Sequence, residues 1–435
     1  MMKKVITFQV LTIFIGVLLL GGAVGFAEGP KPEYYVDESK LPFDALLSTE
    51  TVRYWGIHKG AGYRVEVPEN WNGDLVVYCH GDRGDGLELT VSNPRIRAFL
   101  IDMGYAWAAS SYTKNAYAVK EGVKDTHSLA MFFNGLVGKP NRIYITGHSM
   151  GGHITAVSIE QYPKVYDGAL PMCGVMGDFE LFDYFQEFHL IAHWATGIEV
   201  DVPFPENYET DILPTIKSAL GGPPFGYPIT FSDAGETFRN AIKYLSGGER
   251  PLYNSSFMMW VDFVFGMIMD PDIIGNMDTI YQLDGDPELS VDELALNDEI
   301  YRSEPLPKTR HPNGMGNIPV ISGEISIPVL SLHTLGDLNV PFSMQQIYAE
   351  RVAANGKTNL LVQRAIRDIG HCYFDVSEEK AAFFDLVNWV ENGERADGDD
   401  ILDPGAVADP DFGCEFTLVQ HPPYYGVPIT PCSQP

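Results

Sequence analysis

The hexapeptide GHSMGG at residues 147–152 follows the apolar run RIYIT and precedes the helix-like stretch HITAVSIEQY. A serine set between glycines, where a buried strand hands over to a helix, is compatible with few architectures. In the G-x-S-x-G pattern the serine backbone is strained, and only small neighbours let strand and helix crowd together. Gly147 and Gly151 fill both glycine positions and Gly152 adds a third. Such a turn belongs to a sheet whose strands alternate with helices, so the rest of the chain should alternate in the same way.

It does over most of its length. Short β-branched and aromatic runs occur at 63–68 (YRVEVP), 74–80 (DLVVYCH), 105–112 (YAWAASSY), 142–147 (RIYITG), 167–173 (DGALPMC), 327–334 (IPVLSLHT) and 359–366 (NLLVQRAI). Helix-like stretches lie near 92–103, 125–137, 150–161, 343–354 and 377–391. This pattern predicts an α/β chain with a mostly parallel central sheet flanked by helices. The rhythm stops between 177 and 324, where the text turns aromatic and irregular. That length is far too great for a structureless loop, so it is expected to fold as a large, mostly helical lid insertion. Its run SSFMMWVDFVFGMIMD is too short to cross a membrane and reads as a buried helix. Phe185, Phe188, Trp194, Phe257, Trp260 and Phe263 are read first as the insertion's own core and second as the lining of an apolar pocket.

The N-terminus begins MMKK, continues with an apolar stretch from Val5 to Val24 and ends in GFAEGP, the order of a secretory signal cleaved after Ala27. An uncleaved anchor is the rival reading of that stretch. The expected product is secreted or periplasmic. A formal charge of -29 repels nucleic acid and anionic membranes, so neither is expected as a partner. Five cysteines in an exported chain suggest two disulfides and one thiol. Cys414 and Cys432 bracket a turn-rich tail and are expected to pair. The expected segmentation is a signal at 1–27, core at 28–176, insertion at 177–324, core at 325–395 and a disulfide-closed tail at 396–435.

A serine hydroxyl is a poor nucleophile at neutral pH, so Ser149 needs a base and the base needs an orienting acid. Behind an elbow of this kind the partners follow in the order serine, acid, histidine. Asp337 lies just past the strand IPVLSLHT, and His371 lies on the loop after the next strand, in RDIGHCYF. His333, inside its strand, and His311, in a proline-rich stretch, are read as structural. Asp368 is a weaker alternative acid, and His148 a packing or hydrogen-bonding neighbour of the serine. The oxyanion of a tetrahedral intermediate needs N–H donors. Met150 supplies one, and Asp82 in VVYCHGDRGDG is expected to supply the other, its carboxylate turned outward toward Arg83. No H-E-x-x-H, paired C-x-x-C or P-loop is present, and no cofactor is expected. Asp284, Asp286, Glu288 and Asp292 miss the EF-hand spacing and read as a solvated acidic turn.

Residues 60–180 and 325–392 resemble the α/β-hydrolase superfamily, through CHG, GHSMGG, GDLNVP and GH in that order and spacing. The resemblance implies an eight-stranded fold, a triad of Ser149, His371 and Asp337, and hydrolysis through an acyl-enzyme. AWAASSYTKN and YDGALPMCG look like secreted esterases of the feruloyl esterase, tannase and polyester-depolymerase kind. Tannase-like esterases join a cysteine before the serine to one after the histidine. This chain keeps Cys372 but has His148 at the first position, so the resemblance implies Cys173 as the substitute partner, with Cys79 as the alternative. The leading expectation is a secreted serine carboxylic ester hydrolase acting on a small-molecule or polymeric ester. A serine peptidase similar to the prolyl oligopeptidase group comes second, and a non-catalytic binding protein third. Activity is expected to fall below about pH 6, because the base must be neutral to accept a proton.

Overall fold

The computed structural model describes residues 33–221, 231–307, 310–311 and 318–433. The expected signal at 1–27 lies outside them. Eight strands form one sheet: β1 (Thr51–His58), β2 (Ala61–Pro68), β3 (Leu75–Cys79), β4 (Ala106–Ser110), β5 (Ile143–His148), β6 (Gly168–Met172), β7 (Val329–Thr334) and β8 (Leu361–Ile366). Their order across the sheet is β1-β2-β4-β3-β5-β6-β7-β8. β2 runs antiparallel to both β1 and β4, and every pairing from β4 to β8 is parallel. This is the α/β-hydrolase fold.

Side chains alternate across the strands, as a period of two requires. Val77, Ala108, Ile145 and Ala365 face one apolar cluster, while Val76, Trp107, Tyr144 and Val362 face the other. Helix α1 (Arg97–Asp102) closes the second face, and α2 (Val119–Leu136) and α3 (Met150–Gln161) cover the first. β1 departs from the sequence expectation, which begins the sheet at residue 63. Its exposure alternates, with Val52, Trp55 and Ile57 facing solvent, so this edge strand lacks the dense apolar run that marks the inner ones.

Between β6 and β7 the chain leaves the sheet for α4 (Glu180–Thr196), α5 (Leu213–Ala219), α6 (Asp233–Leu245), α7 (Tyr253–Val264) and α8 (Val291–Glu299). These helices enclose an apolar cluster of their own, in which Phe185 is buried and Phe188 packs against Phe238, Phe257 and Phe265. α9 (Ser343–Ala354) then returns the chain to β8, and α10 (Val376–Asn392) follows it. No helix among the described residues is long and apolar enough to cross a membrane. Cys414 pairs with Cys432, closing the tail.

Candidate active site

The elbow is built by what its glycines omit. Ser149 sits at φ 59°, ψ -125° between β5 and α3, a backbone region that costs an ordinary residue on the order of 1–3 kcal/mol. A Cβ on Gly151 would strike the carbonyl of Cys79, and one on Gly147 would strike the carbonyl of Gly151. Strand, turn and helix therefore approach more closely than any side chain at these positions permits. The result lifts the Ser149 hydroxyl above the parallel end of the sheet.

Two loops bring its partners. The N–H groups of Asn339 and Val340 donate to Asp337 Oδ1 at 2.9 and 3.0 Å, which leaves Oδ2 aimed at His371 Nδ1, 2.5 Å away. His371 Nε2 lies 2.9 Å from Ser149 Oγ. With Nδ1–H donating to the carboxylate, Nε2 carries the lone pair and accepts from the serine hydroxyl. Asp337 is fully buried and His371 half-buried, so the carboxylate is shielded while the imidazole remains accessible. Residues 149, 337 and 371, separate in sequence, thus form one hydrogen-bonded chain.

Met150 opens α3, where a first-turn N–H has no partner within its helix. Gly81 lies against the serine, since a Cβ there would come 3.1 Å from Ser149 Cβ, so the loop carrying Asp82 borders the nucleophile. The expected turn of Asp82 toward Arg83 is not what the structure shows. Asp82 Oδ1 accepts the Gly84 N–H at 2.9 Å, while Arg83 Nε donates to His80 Nδ1 at 3.4 Å. A two-residue Asx turn satisfies the carboxylate locally, which frees the guanidinium for other partners.

The other titratable groups have separate roles. His148 lies beside Tyr78 and Glu379. His333 Nε2–H donates to the Val340 carbonyl at 2.8 Å, and the side chain of His311 lies outside the described set. Asp368 accepts from His421 rather than from His371. The acidic turn is closed on itself, since Asp284 accepts from the Asp286 N–H and Asp286 from the Glu288 N–H. Cys173, after β6, bonds Cys372, the neighbour of His371, and Cys79 remains a buried thiol that burial pushes up to about 12. Cys173, His371 and Cys372 lie close enough to share a metal ion, but two of these three are joined in the disulfide.

Sequence reading missed what the helical segment between β6 and β7 gives the site. Arg250, just before α7, is buried and donates to the Leu335 carbonyl at 2.8 Å, beside the Asp337 turn. Burial lowers its pKa to about 10, so it stays cationic at neutral pH. Trp260 Nε1–H donates to the Ile369 carbonyl at 2.6 Å, tying α7 to the His371 loop. An arginine in a glycine-rich turn carries no local sign of this role.

A profile of the prolyl oligopeptidase family matches residues 101–212, a segment that includes the elbow. The o-phthalyl amidase of Xanthobacter agilis is 21% identical over 404 residues, covering 77% of this chain and 86% of that protein. Among solved structures, feruloyl esterase B from Aspergillus oryzae shares 13% identity across 85% of this chain and 86% of its own, with a TM-score of 0.45. The acylaminoacyl peptidase of Pyrococcus horikoshii shares 12% across 82% of this chain and 44% of its own, with a TM-score of 0.41. Sheet order and elbow give this chain the α/β-hydrolase fold, and together with the matched segment they support a serine hydrolase.

Proposed function

We propose that the protein is a secreted carboxylic ester hydrolase that works through an acyl-enzyme on Ser149. The observation that carries this reading is the hydrogen-bonded chain Ser149 Oγ, His371 Nε2, His371 Nδ1, Asp337 Oδ2. As Oγ attacks the ester carbonyl carbon, its proton passes to Nε2 and the imidazolium is stabilised by Asp337. The carbonyl oxygen becomes an oxyanion that accepts from the N–H groups of Met150 and Asp82. Collapse of this intermediate expels the alcohol, which takes the proton back from Nε2. Water then repeats the sequence on the acyl-serine and releases the acid.

The acyl or alcohol group is read as aromatic or polymeric. Tyr373, two residues past His371, packs edge-on against Tyr424 at 5.2 Å between ring centroids, and Tyr424 stacks with Trp260 at 6.3 Å. Tyr373 and Tyr425 are exposed on this flank, and aromatic faces of this kind suit a planar substrate. Two disulfides support an oxidising compartment. The extended similarity to an o-phthalyl amidase favours a second reading, amide hydrolysis by the same residues.

The test is hydrolysis of p-nitrophenyl acetate, methyl ferulate and an o-phthalyl amide by the wild type and by Ser149→Ala. Ester turnover that disappears in a folded Ser149→Ala is the expected result. Amide turnover with inert esters would establish the second reading, and ester turnover surviving in Ser149→Ala would refute both.

A further inference from the structure

The loop that presents His371 runs from the end of β8 at Ile366 to the start of α10 at Val376. A buried carboxylate lies toward each end of it, Asp368 in the loop and Glu378 in the first turn of the helix. Between these carboxylates stands His421, contributed by the C-terminal tail. Its Nδ1 lies 2.7 Å from Asp368 Oδ2, and its Nε2 lies 3.0 and 3.1 Å from the two Glu378 oxygens. All three side chains are almost wholly removed from water.

Each carboxylate also holds backbone that shapes the site. Asp368 Oδ1 accepts the Gly370 N–H at 2.6 Å, and the Asp368 carbonyl accepts the Gly336 N–H at 2.9 Å, next to Asp337. Glu378 accepts the Asp375 N–H at 2.8 Å and the Leu418 N–H of the tail at 3.1 Å. The tail presses on the loop again at Tyr424, whose ring occupies the space a Cβ on Gly370 would need. The tail therefore contacts the loop just before His371 and the helix turn just after it.

We propose that His421 is a positioning residue for the hydrolysis, holding the His371 loop closed by bridging Asp368 and Glu378, so that the C-terminal tail is part of the active site rather than an appendage. The inference rests on the reading of His371 as the base. Burial alone would lower the pKa of His421, but hydrogen bonds to and charge on the two carboxylates raise it to about 9, so at neutral pH it bridges them as a cation. Removing it leaves two buried carboxyl groups with no donor between them, so the bridge that ties the loop to the helix and the tail is lost. Misplacement of a base by about 1 Å is worth up to about 100-fold in rate.

The experiment compares wild type and His421→Ala for hydrolysis of p-nitrophenyl acetate and for the rate at which a fluorophosphonate probe labels Ser149. Labelling needs an aligned serine and base but no substrate pocket. The expected result is a kcat lowered at least about tenfold with KM little changed, and labelling slowed in the same proportion. Glu378→Gln and Asp368→Asn keep the side-chain shapes and carry the same expectation if His421→Ala fails to fold. Wild-type kcat and labelling in a folded His421→Ala, or a loss confined to KM, would overturn this inference alone. A wild type that the probe does not label would overturn it together with the reading of Ser149 and His371.

Discussion

Cys173 and Cys372 join β6 to the residue beside His371 across a sequence separation of 199, whereas Cys414 and Cys432 close a separation of 18. Loop-closure entropy grows with the logarithm of loop length, giving about 5 kcal/mol for the first crosslink and about 3 kcal/mol for the second. Both cysteines of the longer crosslink hold positive φ, 43° at Cys173 and 56° at Cys372. Relaxation of that backbone strain once the bond is gone returns about 1–2 kcal/mol per residue, or about 2–4 kcal/mol for the two. Cys173→Ala/Cys372→Ala should therefore lose about 1–3 kcal/mol of unfolding free energy and also activity, since the bond fixes the backbone next to His371. Urea unfolding of the double variant, of Cys414→Ala/Cys432→Ala and of the wild type measures these losses, with p-nitrophenyl acetate turnover read beside them. A Cys173→Ala/Cys372→Ala chain as stable and as active as the wild type would refute the reasoning.

Two pH effects follow. Burial raises the pKa of Glu187, on α4, from 4.5 to about 8, and Thr279, Tyr281 and Asp183 are its neighbours. The folded chain thus holds this proton more tightly than the unfolded one, and the stability it contributes is full below pH 4.5 and lost as pH climbs through 8. Glu187→Gln should raise the unfolding free energy measured in urea at pH 9 by an amount on the order of 1–3 kcal/mol and leave it nearly unchanged at pH 4, and equal values at pH 9 would contradict this. His421 has the same sign, because its pKa rises from 6.5 to about 9, so its contribution is full below 6.5 and lost as pH rises through 9. Asp368, Glu378, Asp375 and the Tyr373 ring are the groups that face it. The wild type should lose stability between pH 6.5 and 9 more steeply than His421→Gln, and parallel curves would contradict the assignment.

Strands β3 to β7 are legible because each is buried on both faces and so reads as a mainly apolar run. β1 is not, because an edge strand half in solvent needs no such run, and TVRYWGIH mixes charged, aromatic and small residues. Ser149 is conspicuous because its glycines answer a steric demand made by adjacent residues. Asp337 and His371 are found only through chain order, since each stands on a loop whose local text is ordinary. The tail's His421 and Arg250 just before α7 carry no local signal of their roles, because the partners that tie them to the site lie 43 or more residues away.

By itself, then, the amino-acid order determined the alternation of strand and helix, the elbow and the succession of serine, acid and base, because these depend on residues near one another or on one-dimensional order. The tertiary structure alone decided that Cys173 rather than Cys79 meets Cys372, that Arg83 turns from Asp82 to His80, and that Asp368 serves His421. The first and last of these depend on which loop ends face each other above the sheet, settled by packing across distances the sequence does not encode locally, whereas the second turns on which of several nearby partners the loop backbone places within reach.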